Sequence, residues 1–376
     1  MPIMPTGLYI HMPFCKSRCI YCDFFSQTER GVLQDVFVAA LQRELSCRAV
    51  EADAIGSVYM GGGTPSLFSA HQIACILECV RTHYNITDGA EVTIEMNPDD
   101  VTAGYASALV EAGVNRISLG IQSFDDGVLR FLRRRHTAAQ AMRAVDCLAD
   151  AMGKRGSGNI SIDLIYGLPG QRMEIWKQDV KTAFSLPITH LSSYALSYEE
   201  NTPIYSMLEK GEIRETSDED SLLMYQHIIE CAKRHGFDHY EISNFSLPGF
   251  HSRHNSSYWE GVPYIGIGPG AHSYDGRNVR RLNVPSMKRY VEEKDVPCEL
   301  EVLSADELFN EKIFTRLRTK KGLNVEELSE DDRAEVLKTA EQHMARGKMK
   351  LRNGWLSLTE DGIFTSDNIL SDFMRV

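Results

Sequence analysis

No stretch of this chain approaches the roughly 18 consecutive apolar residues that a membrane span needs. Positive charge is also in short supply. Lys+Arg number 40 against 52 Asp+Glu, for a formal charge of −12. Nucleic acid and anionic membrane both demand a basic surface, so neither is an expected partner, and an integral membrane protein is not expected. Peripheral membrane contact stays open. The first residues, Met1–Phe14, carry no basic patch ahead of a long apolar run, so no secretory leader is expected. Neither end reads as a lipid anchor. There is no low-complexity tract and no usable repeat. What is present is ordinary for a folded chain: 43% hydrophobic and 24% charged residues. A length of 376 residues suits two or three domains, or one large α/β barrel with an appendage. Cysteine is not scarce. The nine are an odd number in a chain large enough to fold without staples, so a reducing, cytoplasmic location is expected rather than a disulfide framework.

The first 200 residues alternate short apolar runs with amphipathic stretches. Strands are expected at Gly7–Ile10, Ser57–Met60, Glu91–Met96, Arg116–Ile121, Ile160–Tyr166 and Leu191–Leu196. Helical patterns lie between them, at Val32–Ala49, around Ile73–Val80, from Thr102, from Asp125 or Thr137, and from Met173. Six such alternations predict a parallel α/β sheet, a partial (β/α)6 barrel of the TIM type. Ser217 to Asp220 reads as a capping box ahead of another helix, with Gly236 as its stop. Residues 240–280 lose clean periodicity, which suggests long loops over the sheet or short extra strands.

From Leu303 two charged helices (Ala305–Leu317 and Asp331–Ala345) precede a hairpin over Met349–Leu358 with Asn353-Gly354 as a type I′ turn. A last helix is expected over Asp361–Phe373. That order is winged-helix-like. Residues 301–376 hold 12 Lys+Arg and 15 Asp+Glu, so a packing or lid module is the better reading than a DNA reader. The expected organisation is a barrel core over 1–236, a loop-rich connecting segment over 237–300, and a C-terminal module over 301–376.

Three cysteines crowd into eight residues. The strand at Leu8–Ile10 runs into His11-Met-Pro-Phe-Cys15-Lys-Ser-Arg-Cys19-Ile-Tyr-Cys22, a C-x3-C-x2-C spacing. Zinc sites usually take four ligands, often in two distant C-x2-C pairs, and no second pair follows here. Close-spaced thiolates on one loop suit an iron–sulfur cubane. Three thiolates on four irons leave one iron open to a small molecule. The plain alternative is three structural cysteines on a surface loop. By contrast Cys75 and Cys79, four apart in an apolar helix, read as core residues.

Functional groups of a parallel barrel gather where strands end. The second expected strand ends in Gly61-Gly62-Gly63-Thr64-Pro65, whose backbone a ligand can approach closely. The third carries Glu95, which on residue type alone could be a solvated terminus. Arg133-Arg134-Arg135-His136 could be a solvated helix end. Asp163 sits amid apolar residues, where a carboxylate should face a ligand or a cation.

The cysteine spacing, with Tyr21 just before the third cysteine, resembles the signature of the radical S-adenosylmethionine superfamily. YIHMPFCKSRCIYCDF, GGGTPS, RISLGIQSFDD, RRRH and IDLIYGLPGQ are similar to the group that holds the oxygen-independent coproporphyrinogen III dehydrogenase HemN and the haem chaperone HemW. The resemblance implies a 4Fe-4S cluster on Cys15, Cys19 and Cys22, with S-adenosylmethionine capping the open iron. It places Tyr9, Gly62, Gly63, Thr64, Glu95, Gln122, Arg134, Asp163 and Ala195 at cofactor-binding positions. In the dehydrogenase some of these, including Gln122, Arg134 and Asp163, serve a second cofactor molecule, so one or two are implied. No catalytic residue is assigned.

Two features lean to the chaperone branch, whose members resemble the oxidase in sequence. Phe24 stands where the dehydrogenase has a further cysteine, and only seven residues precede Leu8. A third is His254-Asn-Ser-Ser-Tyr258-Trp259, similar to the chaperone motif, which implies His254 as a haem ligand. Taken alone, a loop histidine is more often solvated or hydrogen-bonded, and His251 is a rival. The implied activity is haem binding and hand-over to an acceptor protein. The alternatives are oxidative decarboxylation of coproporphyrinogen III and haem degradation.

Overall fold

The computed structural model describes residues 5–28, 32–153 and 158–375. The six apolar runs form six parallel strands in chain order: β1 (Thr6–Met12), β2 (Ile55–Gly62), β3 (Ile86–Met96), β4 (Arg116–Gln122), β5 (Asn159–Tyr166) and β6 (His190–Ala195). Parallel neighbours require crossovers, and helices supply them. These are α1 (Val32–Arg48), α2 (Ala70–His83), α3 (Ala103–Ala112), α4 (Asp126–Phe131), α5 (Ala138–Gly153) and α6 (Met173–Ser185). Helix starts follow the caps. Ser69 and Gln72 form a capping box before α2, and the Thr102 and Asp125 side chains accept backbone N–H groups at α3 and α4. Both candidate starts after β4 are thus used, one by α4 and one by α5.

The two faces of the sheet differ in kind. Outward residues such as Ile10, Met60, Ile94, Leu119, Ile162 and Leu191 are fully or almost fully buried against the helices. Inward positions carry Tyr59, Glu95, Ser118, Ser161, Asp163 and His190. An ordinary α/β barrel fills its lumen with branched apolar side chains. Hydrogen-bonding groups line this one, which suits a polar ligand.

After α7 (Pro203–Glu209) and α8 (Asp218–Arg234), residues 240–280 take the second of their two expected forms, short strands, which continue through the segment at 237–300 expected to be loop-rich. β8 (Asn244–Ser246) adds antiparallel to β6, and β7 (Asp238–Glu241) adds antiparallel to β8. After α9 (Arg253–Trp259), β9 (Tyr264–Ile267) pairs parallel with β1. β10 (His272–Tyr274), β11 (Val279–Asn283) and, past α10 (Met287–Glu292), β12 (Cys298–Val302) continue antiparallel. Among the described residues one sheet therefore holds twelve strands.

The C-terminal module has its own core, centred on Ile313, Leu317, Leu323, Val336, Ala340 and Leu356. It contains α11 (Ala305–Leu317), α12 (Glu330–Ala345) and a three-stranded sheet of β13 (Leu323–Asn324), β14 (Met349–Arg352) and β15 (Trp355–Leu358). Asn353 and Gly354 have φ of 51° and 79°, as a type I′ turn requires. The expected last helix is instead two, α13 (Glu360–Ile363) and α14 (Ser366–Ser371). Gly362 lies so close to the Lys348 carbonyl that a Cβ would overlap it, and Thr365 starts a new turn beyond. Cys75 and Cys79 are only half-buried on the flank of α2, and Cys79 donates to the Gln42 carbonyl of α1.

Candidate functional site

One cavity of about 490 Å³ opens at the C-terminal ends of the parallel strands. Its upper wall is the loop carrying Cys15, Cys19 and Cys22. Backbone bonds close the base of that loop: Cys15 N–H to the Gln27 carbonyl at 2.9 Å, and Gln27 N–H to the Pro13 carbonyl at 2.7 Å. Ile20 pins it further by packing with Leu132, Ile165, Leu168 and Ile204. All three thiols are free and half-buried. Among the described residues no three His, Cys, Asp or Glu side chains converge on one ion. A cubane instead asks for thiolates spread around a loop, one to each corner.

Other groups already attend the sulfurs. Arg134 Nη1 donates to Cys19 Sγ at 3.2 Å and Thr64 Oγ1 to Cys15 Sγ at 3.7 Å. Arg134 Nη2 donates to Asn97 Oδ1 and to the Gly120 carbonyl, while its buried Nε has no partner. The basic triplet is therefore not one solvated unit. Arg133 is exposed at φ 56°, Arg135 pairs with Asp99 at 2.7 Å and Asp100 at 3.0 Å, and His136 is buried against the Ile121 carbonyl. A cluster with negative sulfurs fits these donors and the spare Arg134 Nε.

The glycine segment is built for close approach. A Cβ on Gly63 would stand 2.7 Å from the Met12 carbonyl oxygen and from Phe14 backbone atoms. Gly62 has φ +101° and lies against the His11 ring. The backbone N–H groups of Gly63 and Thr64 are not free, since they donate to the Met12 and Phe14 carbonyls at 3.0 and 2.7 Å. Among the described residues nothing donates to the Gly63 carbonyl, so this segment offers an acceptor to an amine rather than donors to a carboxylate.

Below lie two carboxyl groups. Tyr59 Oη donates to Glu95 Oε1 at 2.7 Å and Gly62 N–H to Oε2 at 3.0 Å. Burial pushes Glu95 up to about 7 against these two bonds, helped by the Asp163 charge. Burial likewise pushes Asp163 up to about 6, against hydrogen bonds from Ser192 and Ser118 and the charges of Arg116 and Arg134. Gln122 ends β4 at φ 72°, a left-handed backbone uncommon for a residue with a Cβ.

Of the sequence-predicted residues, Cys15, Cys19, Cys22, Gly62, Gly63, Thr64, Glu95, Gln122, Arg134, Asp163 and Ala195 share this cavity. Tyr9 does not. It lies behind Tyr59, ring centroids 6.1 Å apart, and its hydroxyl meets His11 Nδ1 at 3.0 Å. His254 does not line it either. The expected iron-ligating histidine is 1% exposed, with Nδ1 on Ser57 Oγ at 2.9 Å and Nε2 on Tyr258 Oη at 2.8 Å. Burial lowers it to about 3. In this ligand-free arrangement a haem iron reaches either nitrogen only by displacing Ser57 or Tyr258. Its rival His251 keeps 42% of its side chain exposed, stacked on Tyr240 at 4.1 Å. Sequence reasoning missed Tyr59, Asn97, Arg116, Ser118 and Ser192. The signal was present as polar residues at every second position of β2, β4 and β6.

The family model "Radical SAM superfamily" matches residues 9–183, and the "HemN C-terminal domain" matches 303–365. The heme chaperone HemW of Lactococcus lactis is 37% identical over 326 residues, covering 86% of this chain and 84% of that protein. The heme chaperone HemW of Mycobacterium tuberculosis is 35% identical, covering 98% and 95%. The chain belongs to the HemW family of radical SAM proteins. With that family come a 4Fe-4S cluster and S-adenosylmethionine as cofactors. Coproporphyrinogen III oxidase (HemN) from Escherichia coli shares the fold, with a TM-score of 0.82 over 99% of this chain and 91% of that one at 22% identity. Among the described residues no helix is long and apolar enough to cross a membrane.

Proposed function

We propose that this protein binds haem and transfers it to an acceptor protein, with a 4Fe-4S cluster on Cys15, Cys19 and Cys22. The observation that carries the reading is the match over 98% of the chain to a protein named heme chaperone HemW. Phe24, at the cavity mouth where the dehydrogenase pattern has cysteine, supports it. S-adenosylmethionine, when bound at the open iron, supplies reductive cleavage of its sulfonium. The chain's own groups hold and orient it. The Gly63 carbonyl and Glu95 would accept from its amine, and Arg134 and Gln122 would serve its carboxylate. Asp163, held by Ser118 and Ser192, would meet its polar sugar or a second such molecule. Residues 301–376 act as a module packed on the core: Arg316 Nη2 donates to the Glu260 carbonyl at 2.7 Å, next to α9. Haem is proposed to dock on the face carrying His251, and to engage His254 only if α9 opens.

Anaerobic reconstitution with iron and sulfide tests the reading. The wild-type protein is expected to carry acid-labile sulfide and broad visible absorbance, and Cys15→Ala, Cys19→Ala and Cys22→Ala to lose both. Haem added to the wild type is expected to shift its Soret band, with His251→Ala weakening binding more than His254→Ala. Conversion of coproporphyrinogen III to protoporphyrinogen, or opening of the haem ring, would replace the chaperone reading.

A further inference from the structure

The cavity continues below Asp163. Its floor reaches Arg116, Ser161, His190, Ser252 and Asn255. Arg116 opens β4 and is 2% exposed. Its Nη1 is committed, donating to Asn159 Oδ1 at 2.6 Å and to the Phe250 carbonyl at 3.4 Å. Among the described residues Nε and Nη2 have no partner, and neither is sealed off by protein. No described carboxylate pairs with this guanidinium. Glu91, on the neighbouring strand, spends both oxygens on the backbone N–H groups of Arg253 and His254 at 3.1 Å each. Asp163 is held by Ser118 and reaches Arg116 only through space.

A buried cation with no ion-pair partner in contact is expensive. The free Nε/Nη2 edge is also the one that grips a carboxylate side-on. Arg48 demonstrates this within the same chain, holding Glu51 Oε1 and Oε2 through Nε and Nη2 at 2.8 and 2.7 Å. The groups around Arg116 do not compete for that edge. His190 is saturated by Ser161 Oγ and Tyr240 Oη, both at 2.7 Å, and burial with the Arg116 charge keeps it neutral. The Asn255 side-chain amide has no hydrogen bond among the described residues and lines the same floor.

We propose that the floor of the lumen is a carboxylate subsite, in which Arg116 Nε and Nη2 and the Asn255 amide receive the carboxylate of a small molecule lying along the lumen. The inference rests on the lumen's geometry and does not depend on haem transfer. The carboxylate has two chemical sources, an acid side chain of the propionate type or an amino-acid headgroup.

The test uses the full-length, cluster-reconstituted protein and follows thermal unfolding during titration with propionate, with L-methionine and with chloride at matched ionic strength. One of the two acids is expected to raise the unfolding temperature well beyond chloride, and the stronger one names the source. Arg116→Met and Asn255→Leu are each expected to weaken that acid by about tenfold or more. Both should keep the visible absorbance of the cluster, which separates this subsite from the cluster assignment. Arg116→Met should also unfold at a higher temperature without any acid, because its unpaired charge is gone. If Arg116→Met does not fold, Asn255→Leu and Arg116→Lys decide, since Lys keeps the charge but loses the two-pronged edge. Equal stabilisation by chloride, no response to either acid, or unchanged affinity in the folded variants overturns the proposal.

Discussion

Glu95 and Asp163 keep their protons at pH values where an exposed carboxyl has lost its own. Between the ordinary 4.5 and about 7, the unfolded chain releases the Glu95 proton while the folded, ligand-free protein retains it. The folded state then binds more protons than the unfolded one, so stability falls as pH rises through that window. The gap corresponds to an upper bound of roughly 3 kcal/mol for Glu95. Glu95→Gln is therefore expected to match the wild type near pH 4.5 and to unfold at a higher temperature at pH 8. Superimposable curves of unfolding temperature against pH would show that burial does not hold the proton. The role of Glu95 as a polar strand-end group was legible from the sequence. Its depth was not, because that depends on Tyr59, a residue that reads as an ordinary strand aromatic until β2 and β3 are set side by side. His254 is the converse. Its motif was legible, but its burial arises from Ser57 and Tyr258 closing on both nitrogens.

At the scale of elements, α9 is a plug held from above. It spans only seven residues, Arg253–Trp259, too short to stand alone. Glu91 accepts from its first two N–H groups, and the His254 ring stacks on Tyr59 at a centroid distance of 5.0 Å. Glu91→Ala leaves those buried donors unpaired, a cost of about 1–3 kcal/mol. Faster amide exchange over residues 252–260 is expected, with β1 to β6 unchanged; uniform exchange across the protein would deny α9 a separate hold. The six parallel strands were legible because each is a short apolar run and most end at Gly, Pro or Asn. The edge strands β7 to β12 were not, since three- to five-residue strands rich in His, Arg and Tyr lack a period to read.

For the whole molecule, the C-terminal module was legible almost element by element, because its helices are capped by Ser304 and Ser329 and its turn is Asn-Gly. The joint to the rest was not. It runs through backbone bonds such as Ile242 N–H to the Arg318 carbonyl at 3.0 Å and Lys320 N–H to the Tyr240 carbonyl at 3.0 Å, which carry no side-chain signature. Deleting residues 303–376 is therefore expected to uncover the Tyr240–Ile242 backbone, read as added proteolysis there, while the cysteine loop still assembles a cluster. Loss of the cluster on deletion would tie the module to the site itself.

The parallel bond between Thr6–Met12 and Tyr264–Ile267 has a consequence for biosynthesis. A ribosome making this chain releases its first strand early and the neighbour that flanks it some 250 residues later. In the interval one border of that strand is uncovered, a sticky edge for other nascent chains. Ribosome-stalled intermediates ending before Tyr264 are thus expected to co-sediment with general chaperones, and those ending after Asn283 to be released from them.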